Sequence, residues 1–196
     1  MRTIRELPNR LRSALVGAFI LLAYAMLLGS LTELAFVVMV VDVVSGLAVI
    51  GIAVLMYPLF RGPNPVLPVS YLILKWAEGL LMIAAGIVFL TPSNQGLRDS
   101  IYAGPQFYVF IVSGGVFYIL MFARKLIPSY ISIWGMVSIG LLAVSAIFDL
   151  VAIELAFLEY AAVLIILNEV YLAIWLFVRG LRVPSTNDGR LEQPVR

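Results

Sequence analysis

From Leu34 to Phe60 the chain carries a single charged side chain, Asp42, in a stretch otherwise dominated by apolar residues. About 20 such residues suffice for a helix to cross a hydrocarbon core of about 30 Å, so this run is long enough to span a membrane with tilt. Comparable runs recur along the chain, separated by short polar or Pro/Gly-rich pieces. Backbone N–H and C=O groups in lipid must be satisfied within their own segment, and stacked helices do this. A water-soluble domain is excluded. Its surface would need about 25% charged residues, and this chain has 12%, with 63% hydrophobic residues and a mean hydropathy of +1.07.

Six spans follow from the pattern: Ser13–Gly29, Leu34–Phe60, Ser70–Leu90, Tyr102–Phe122, Tyr130–Phe148 and Leu155–Val178. Arg10 and Arg12 are expected to snorkel from the start of the first. Between the second and third, RGPNPVLPV reads as a rigid non-helical connector, because proline lacks an amide donor and restrains its predecessor. The most polar connector is Thr91–Ser100, and Pro105 falls in the expected first turn of span four, where its missing donor is harmless. From Ser129 to Val178 there is no proline. Fifty helical residues would measure about 75 Å, so the run must fold back, with Asp149 and Glu154 marking the break. The expected class is all-α: a polytopic bundle of six transmembrane helices with short loops, one domain over residues 1–182, and a polar, disordered cytoplasmic tail over 183–196.

Basic residues set the orientation. Arg2, Arg5, Arg10, Arg12, Arg61, Arg124, Lys125, Arg179, Arg182, Arg190 and Arg196 fall on one side of the six-span arrangement, and only Arg98 on the other. That bias places both termini in the cytoplasm of a bacterial inner membrane. The same distribution assigns the net charge of +2 to lipid contact and not to nucleic acid. The basic, apolar N-terminus lacks a small-residue cleavage site before Thr32 and reads as a retained first helix. The chain has no Cys and no His, which removes disulfides, thiolate chemistry and the commonest metal ligand and general base. No cofactor and no metal site are expected.

The candidate site is the set of polar groups at membrane depth: Asp42, Lys75, Glu78, Asn168, Glu169 and Tyr171. Ionisable groups there must face protein or water, and they mark function by default. Glu78 and Glu169 fall about 12–14 Å from the basic ends of their spans, at nearly one level. Two close carboxylates in low dielectric would share a proton or hold a cation. Lys75, three residues before Glu78, competes as its ion-pair partner. Asn168 points about 100° away from Glu169, so one can bond a neighbouring helix while the other lines a cavity. Asp42, about 12 Å from the far end, would extend the glutamates into a stepped acidic path if the helices touch. Ser45 has the choice of Asp42 or a helix carbonyl, and the acidic residues Glu33, Asp99, Asp149, Glu154 and Glu159 would form an acidic mouth. Ser113, Gly114, Gly115, Gly135, Ser138 and Gly140 permit close helix approach.

Two strings, RKLIPSYISIWGMVSIG (124–140) and NEVYLAIWLFVRGLR (168–182), with weaker echoes around Asp42 and Glu78, resemble the bacterial membrane family known as the domain of unknown function 4386 family. Its pattern falls on Asp42, Glu78, Arg124, Pro128, Trp134, Gly135, Glu169, Trp175 and Gly180. The resemblance implies a helical integral membrane protein and no assigned activity.

Three function classes remain. The first is a small transporter or channel for protons, cations or small solutes, acting through Glu78, Glu169 and Asp42. The second is a non-transporting structural or assembly subunit, whether as a homo-oligomer or in a membrane complex. The third is an intramembrane lipid-binding protein or enzyme, which the missing His and Cys disfavour.

Overall fold

A computed structural model describes residues 7–32, 34–91, 95–150 and 160–182. Among them, six helices are long and apolar enough to cross a membrane: Asn9–Gly29, Ala35–Phe60, Val66–Phe89, Gly96–Ala123, Ser129–Asp149 and Ala161–Val178. The elements are α1 (Asn9–Ala23), extended by a 3₁₀ segment Tyr24–Leu31, then α2 (Ala35–Phe60), α3 (Val66–Phe89), α4 (Gln95–Ile101), a π-helical turn Tyr102–Gln106, α5 (Phe107–Ala123), α6 (Ser129–Leu150) and α7 (Ala161–Val178). The expected break at Asp149 agrees with the end of α6, whereas Glu154, like Glu33, Glu159 and the tail, lies outside the described residues.

The spans close into a ring. α1 packs on α2, α2 on α3, α3 on α5, α5 on α6, α6 on α7, and α7 returns to α1. Small residues or polar bonds mark each joint, as expected where lipid supplies no hydrophobic drive between helices. At the α2–α3 joint a Cβ on Gly46 would lie 2.5 Å from the Gly79 carbonyl oxygen, so the backbones meet directly. Phe19 of α1 covers Gly51, and Ser45 donates to the Leu22 carbonyl (3.1 Å), the second of its two expected options. Tyr118 of α5 lies on Gly135 of α6, and Asn168 Nδ2 of α7 donates to the Ile131 carbonyl of α6 (3.1 Å). The ring closes where Leu181 N–H donates to Ser13 Oγ (2.8 Å), held by Gly180 at φ +76°, a left-handed conformation natural to glycine. Gly140, expected at a helix contact, meets nothing within 4 Å.

Two boundaries depart from expectation. α3 begins four residues early, at Val66, because Pro65 precedes the helix and Pro68 falls in its first turn, where no amide is needed. The polar stretch read as a connector is helical from Gln95, which makes span four start at Gly96. Pro105 therefore sits inside the span, at a kink where Gly104 leaves helical geometry (φ −109°, ψ −106°). Proline cannot donate into the helix ladder, and the π turn absorbs the missing bond. Arg12, expected to snorkel, is buried.

Candidate functional site

Lys75 and Glu78 lie three residues apart on α3, which sets them on one face of the helix. Lys75 Nζ donates to both Glu78 oxygens, at 3.2 and 2.9 Å, and stands 5.6 Å from the Phe110 ring centroid. Ser113 of α5 donates to Glu78 Oε2 at 2.5 Å. Glu78 is 2% exposed and Lys75 7%, so the pair is a buried, charge-assisted cluster spanning α3 and α5. The Glu78 carboxylate already accepts three hydrogen bonds from two donors.

Glu169 approaches from α7. It is half-buried, and its one hydrogen-bond partner among the described residues is the Tyr24 hydroxyl, which donates to Oε2 at 2.8 Å. Tyr24 opens the eight-residue 3₁₀ segment, unusually long for that conformation. No sequence signal singled it out beyond being a tyrosine deep in an apolar span.

Lys75, Glu78, Glu169 and Tyr24 line one cavity of about 50 Å³, bordered by residues of α1, α2, α3, α5 and α7 together with the two irregular segments. At a minimum of about 10–15 Å³ per water, this has room for roughly three to five water molecules. Its other walls include Ile20, Val49, Ile52, Met82 and Phe117, with Tyr71 and Gln106 adding polar atoms. Formal charges on its lining are one positive and two negative. At the end of the bundle where α1 begins and α7 finishes, Phe60, Tyr71, Phe117 and Tyr118 pack ring on ring, with centroids 5.2–6.1 Å apart and at most 5% exposure.

Asp42 is elsewhere, which corrects the stepped acidic path. Its carboxylate is fully buried and receives Arg98 through a two-pronged contact, Nε to Oδ2 at 2.7 Å and Nη2 to Oδ1 at 2.9 Å. Arg98 also reaches the Met26 carbonyl (3.4 Å) and lies over the rings of Tyr102 (4.9 Å) and Phe89 (5.7 Å). The pair ties the 3₁₀ segment, α2 and α4 together at the far end, so Asp42 is neutralised and does not border the cavity. Arg98, counted at first as a rim charge, turns inward because α4 extends the span by six residues.

Asn168 and Tyr171 also leave the set. Asn168 is fully buried but faces α6, as the 100° offset from Glu169 allows. Tyr171, two positions and about 200° beyond Glu169, points away from the cavity. Its hydroxyl meets that of Tyr130 (2.9 Å) on the outside of the bundle, beside Trp134. Asp99 is 80% exposed at the side chain, within 3.6 Å of Arg98.

Six apolar spans closed around buried charged groups define a multi-pass α-helical membrane protein. Residues 97–180 match a family model, described as Domain of unknown function (DUF4386), so over that part the chain is similar to this family. The match includes Arg124, Pro128, Trp134, Gly135, Glu169, Trp175 and Gly180, while Asp42 and Glu78 fall outside it. No curated protein and no solved structure matches the chain.

Proposed function

We propose that the protein is a proton-handling membrane transporter or channel in which Glu169 takes up and releases the proton. The observation that carries this reading is the single small cavity shared by Glu169 and the Lys75–Glu78 pair. Lys75 balances Glu78, which leaves the Glu169 carboxylate with a neutral phenol as its donor. A proton or monovalent cation restores neutrality there, which a carboxylate at membrane depth without a cationic partner of its own favours. A space of about 50 Å³ suits a few waters, so protons and small cations are the cargoes that match it best. With basic residues crowding the end where α1 begins and α7 finishes, that end is cytoplasmic in this reading.

Protein reconstituted into vesicles enclosing a pH-sensitive dye tests the reading. Under an imposed pH gradient the wild type is expected to dissipate it faster than empty vesicles, and Glu169→Gln at least tenfold more slowly than wild type. Equal rates for the two proteins overturn the role of Glu169. The competing scaffold reading draws support from Glu78, whose three hydrogen bonds from Lys75 and Ser113 make it a packing residue joining α3 to α5. In that reading Glu169 is equally structural, and its replacement by Gln is without effect on flux.

A further inference from the structure

Two phenols between the cavity and the basic end of the bundle are unpartnered. Tyr71 and Tyr118 are both fully buried, and neither hydroxyl has a hydrogen-bond partner among the described residues. A buried hydroxyl is unfavourable without a hydrogen-bond partner, and ordered water is the partner such groups usually take. Tyr71 lines the cavity directly, and Tyr118 packs on Phe117, which also lines it. Both tyrosines fall within electrostatic reach of Glu169.

Their depth gives the direction. Tyr71 is five residues from the start of α3 and Tyr118 five from the end of α5, each about 7.5 Å from the basic end. Glu169, nine residues from the end of α7, is about 6 Å deeper. Phe60 and Phe117 occupy the same layer as these tyrosines and are nearly fully buried, so the layer is closed to a hydrated ion. The polar atoms that this aromatic cluster offers are the two tyrosine hydroxyls.

We infer that Tyr71 and Tyr118, bridged by water, form the proton path between Glu169 and the basic end, passing protons while excluding sodium and potassium ions. In each hop a phenol oxygen accepts a proton from the oxygen on one side and releases its own to the oxygen on the other. The phenol returns to its neutral form, and the proton ends on the Glu169 carboxylate, giving the carboxylic acid. The inference rests on the proton reading of Glu169 and deepens it, by naming the conducted species and the residues that select it.

The test uses full-length protein in vesicles sorted so that the basic end faces outward, with infrared detection of the Glu169 carboxyl after a pH jump outside. The band belonging to Glu169 is assigned by its loss in Glu169→Gln. Tyr71→Phe and Tyr118→Phe keep the rings and their packing, and their unfolding temperatures should match wild type. Each variant is expected to protonate Glu169 at least tenfold more slowly from the basic end, and at an unchanged rate in vesicles of the opposite orientation. Unchanged rates from the basic end overturn the relay while leaving Glu169 as the proton acceptor. A titrating band absent from the wild type overturns the proton reading itself, and the relay with it. Slowing from both sides also refutes the relay, because it marks a general packing defect. In a parallel flux measurement, sodium or potassium ions crossing at the proton rate would refute the selectivity.

Discussion

Arg98→Ala removes one half of a buried ion pair and leaves the other half where water cannot reach it. Asp42 is fully buried and receives its charge-assisted bonds at 2.7 and 2.9 Å from Arg98. Stranding a buried charge in this way costs about 3–5 kcal/mol. Asp42→Ala is expected to cost less, about 2–3 kcal/mol. The guanidinium it leaves behind keeps the Met26 carbonyl and the faces of Tyr102 and Phe89, and it has slight exposure. The double variant leaves no unpaired charge, so its cost falls well short of the sum of the two, giving a coupling of about 3 kcal/mol.

Equilibrium unfolding in bicelles, followed for the wild type, both single variants and the double variant, measures that coupling. Asp99→Asn is the control: its carboxylate is 80% exposed and 3.6 Å from Arg98, so its effect should stay within about 0.5 kcal/mol. Raising the salt should leave the Asp42–Arg98 coupling unchanged, since a pair shielded from solvent is screened little. A coupling below about 0.5 kcal/mol, or one that disappears in salt, would show that the pair is a solvated surface bridge and would refute the buried arrangement.

Other outcomes follow from single contacts. Ser113→Ala removes a donor from the Glu78 carboxylate and should cost about 1.5–3 kcal/mol in the same unfolding measurement. Gly79→Val drives a side chain into the Gly46 carbonyl oxygen, 2.6 Å from where its Cβ would sit, and should destabilise by about 1–3 kcal/mol or separate α2 from α3 in a cross-linking assay. Gly180→Ala forces a Cβ into φ +76° and should cost about 1 kcal/mol, with faster hydrogen exchange at the Leu181 amide that bonds Ser13.

The spans were legible because length and hydropathy set them directly, and the Lys75–Glu78 contact was legible because i,i+3 neighbours share a helix face wherever the helix goes. Depth was legible too: nine residues from a helix end fixed the level of Glu169. Azimuth was not. Asp42 and the glutamates were joined by depth alone, but the ring turns Asp42 toward α4 and away from the cavity. The missing element was Arg98, whose stretch carries Gln95, Gly96, Asp99 and Ser100 and reads as a loop. The signal available was charge balance, since a lone aspartate inside the membrane asks for a cation and Arg98 was the one basic residue on its side. Tyr24 was illegible for a related reason: its contact with Glu169 depends on a 3₁₀ segment that apolar periodicity does not encode.

The charges inside the bundle are not equivalent, and the difference bears on what Glu169 is for. Asp42 with Arg98 and Lys75 with Glu78 each form a pair of opposite sign, and such pairs fix the arrangement of helices without requiring any change of state. Among the described residues Glu169 has only the Tyr24 hydroxyl as a donor, and a glutamine carbonyl would accept that bond too, without a charge to desolvate. A packing role therefore gains nothing from the carboxylate. The two readings diverge on one substitution: for a scaffold, Glu169→Gln should leave stability equal or higher and function intact. For a proton-handling site it should leave stability equal or higher and abolish proton movement. Measuring unfolding and flux on the same Glu169→Gln preparation separates them, because retained fold with lost flux fits only a residue whose proton is used.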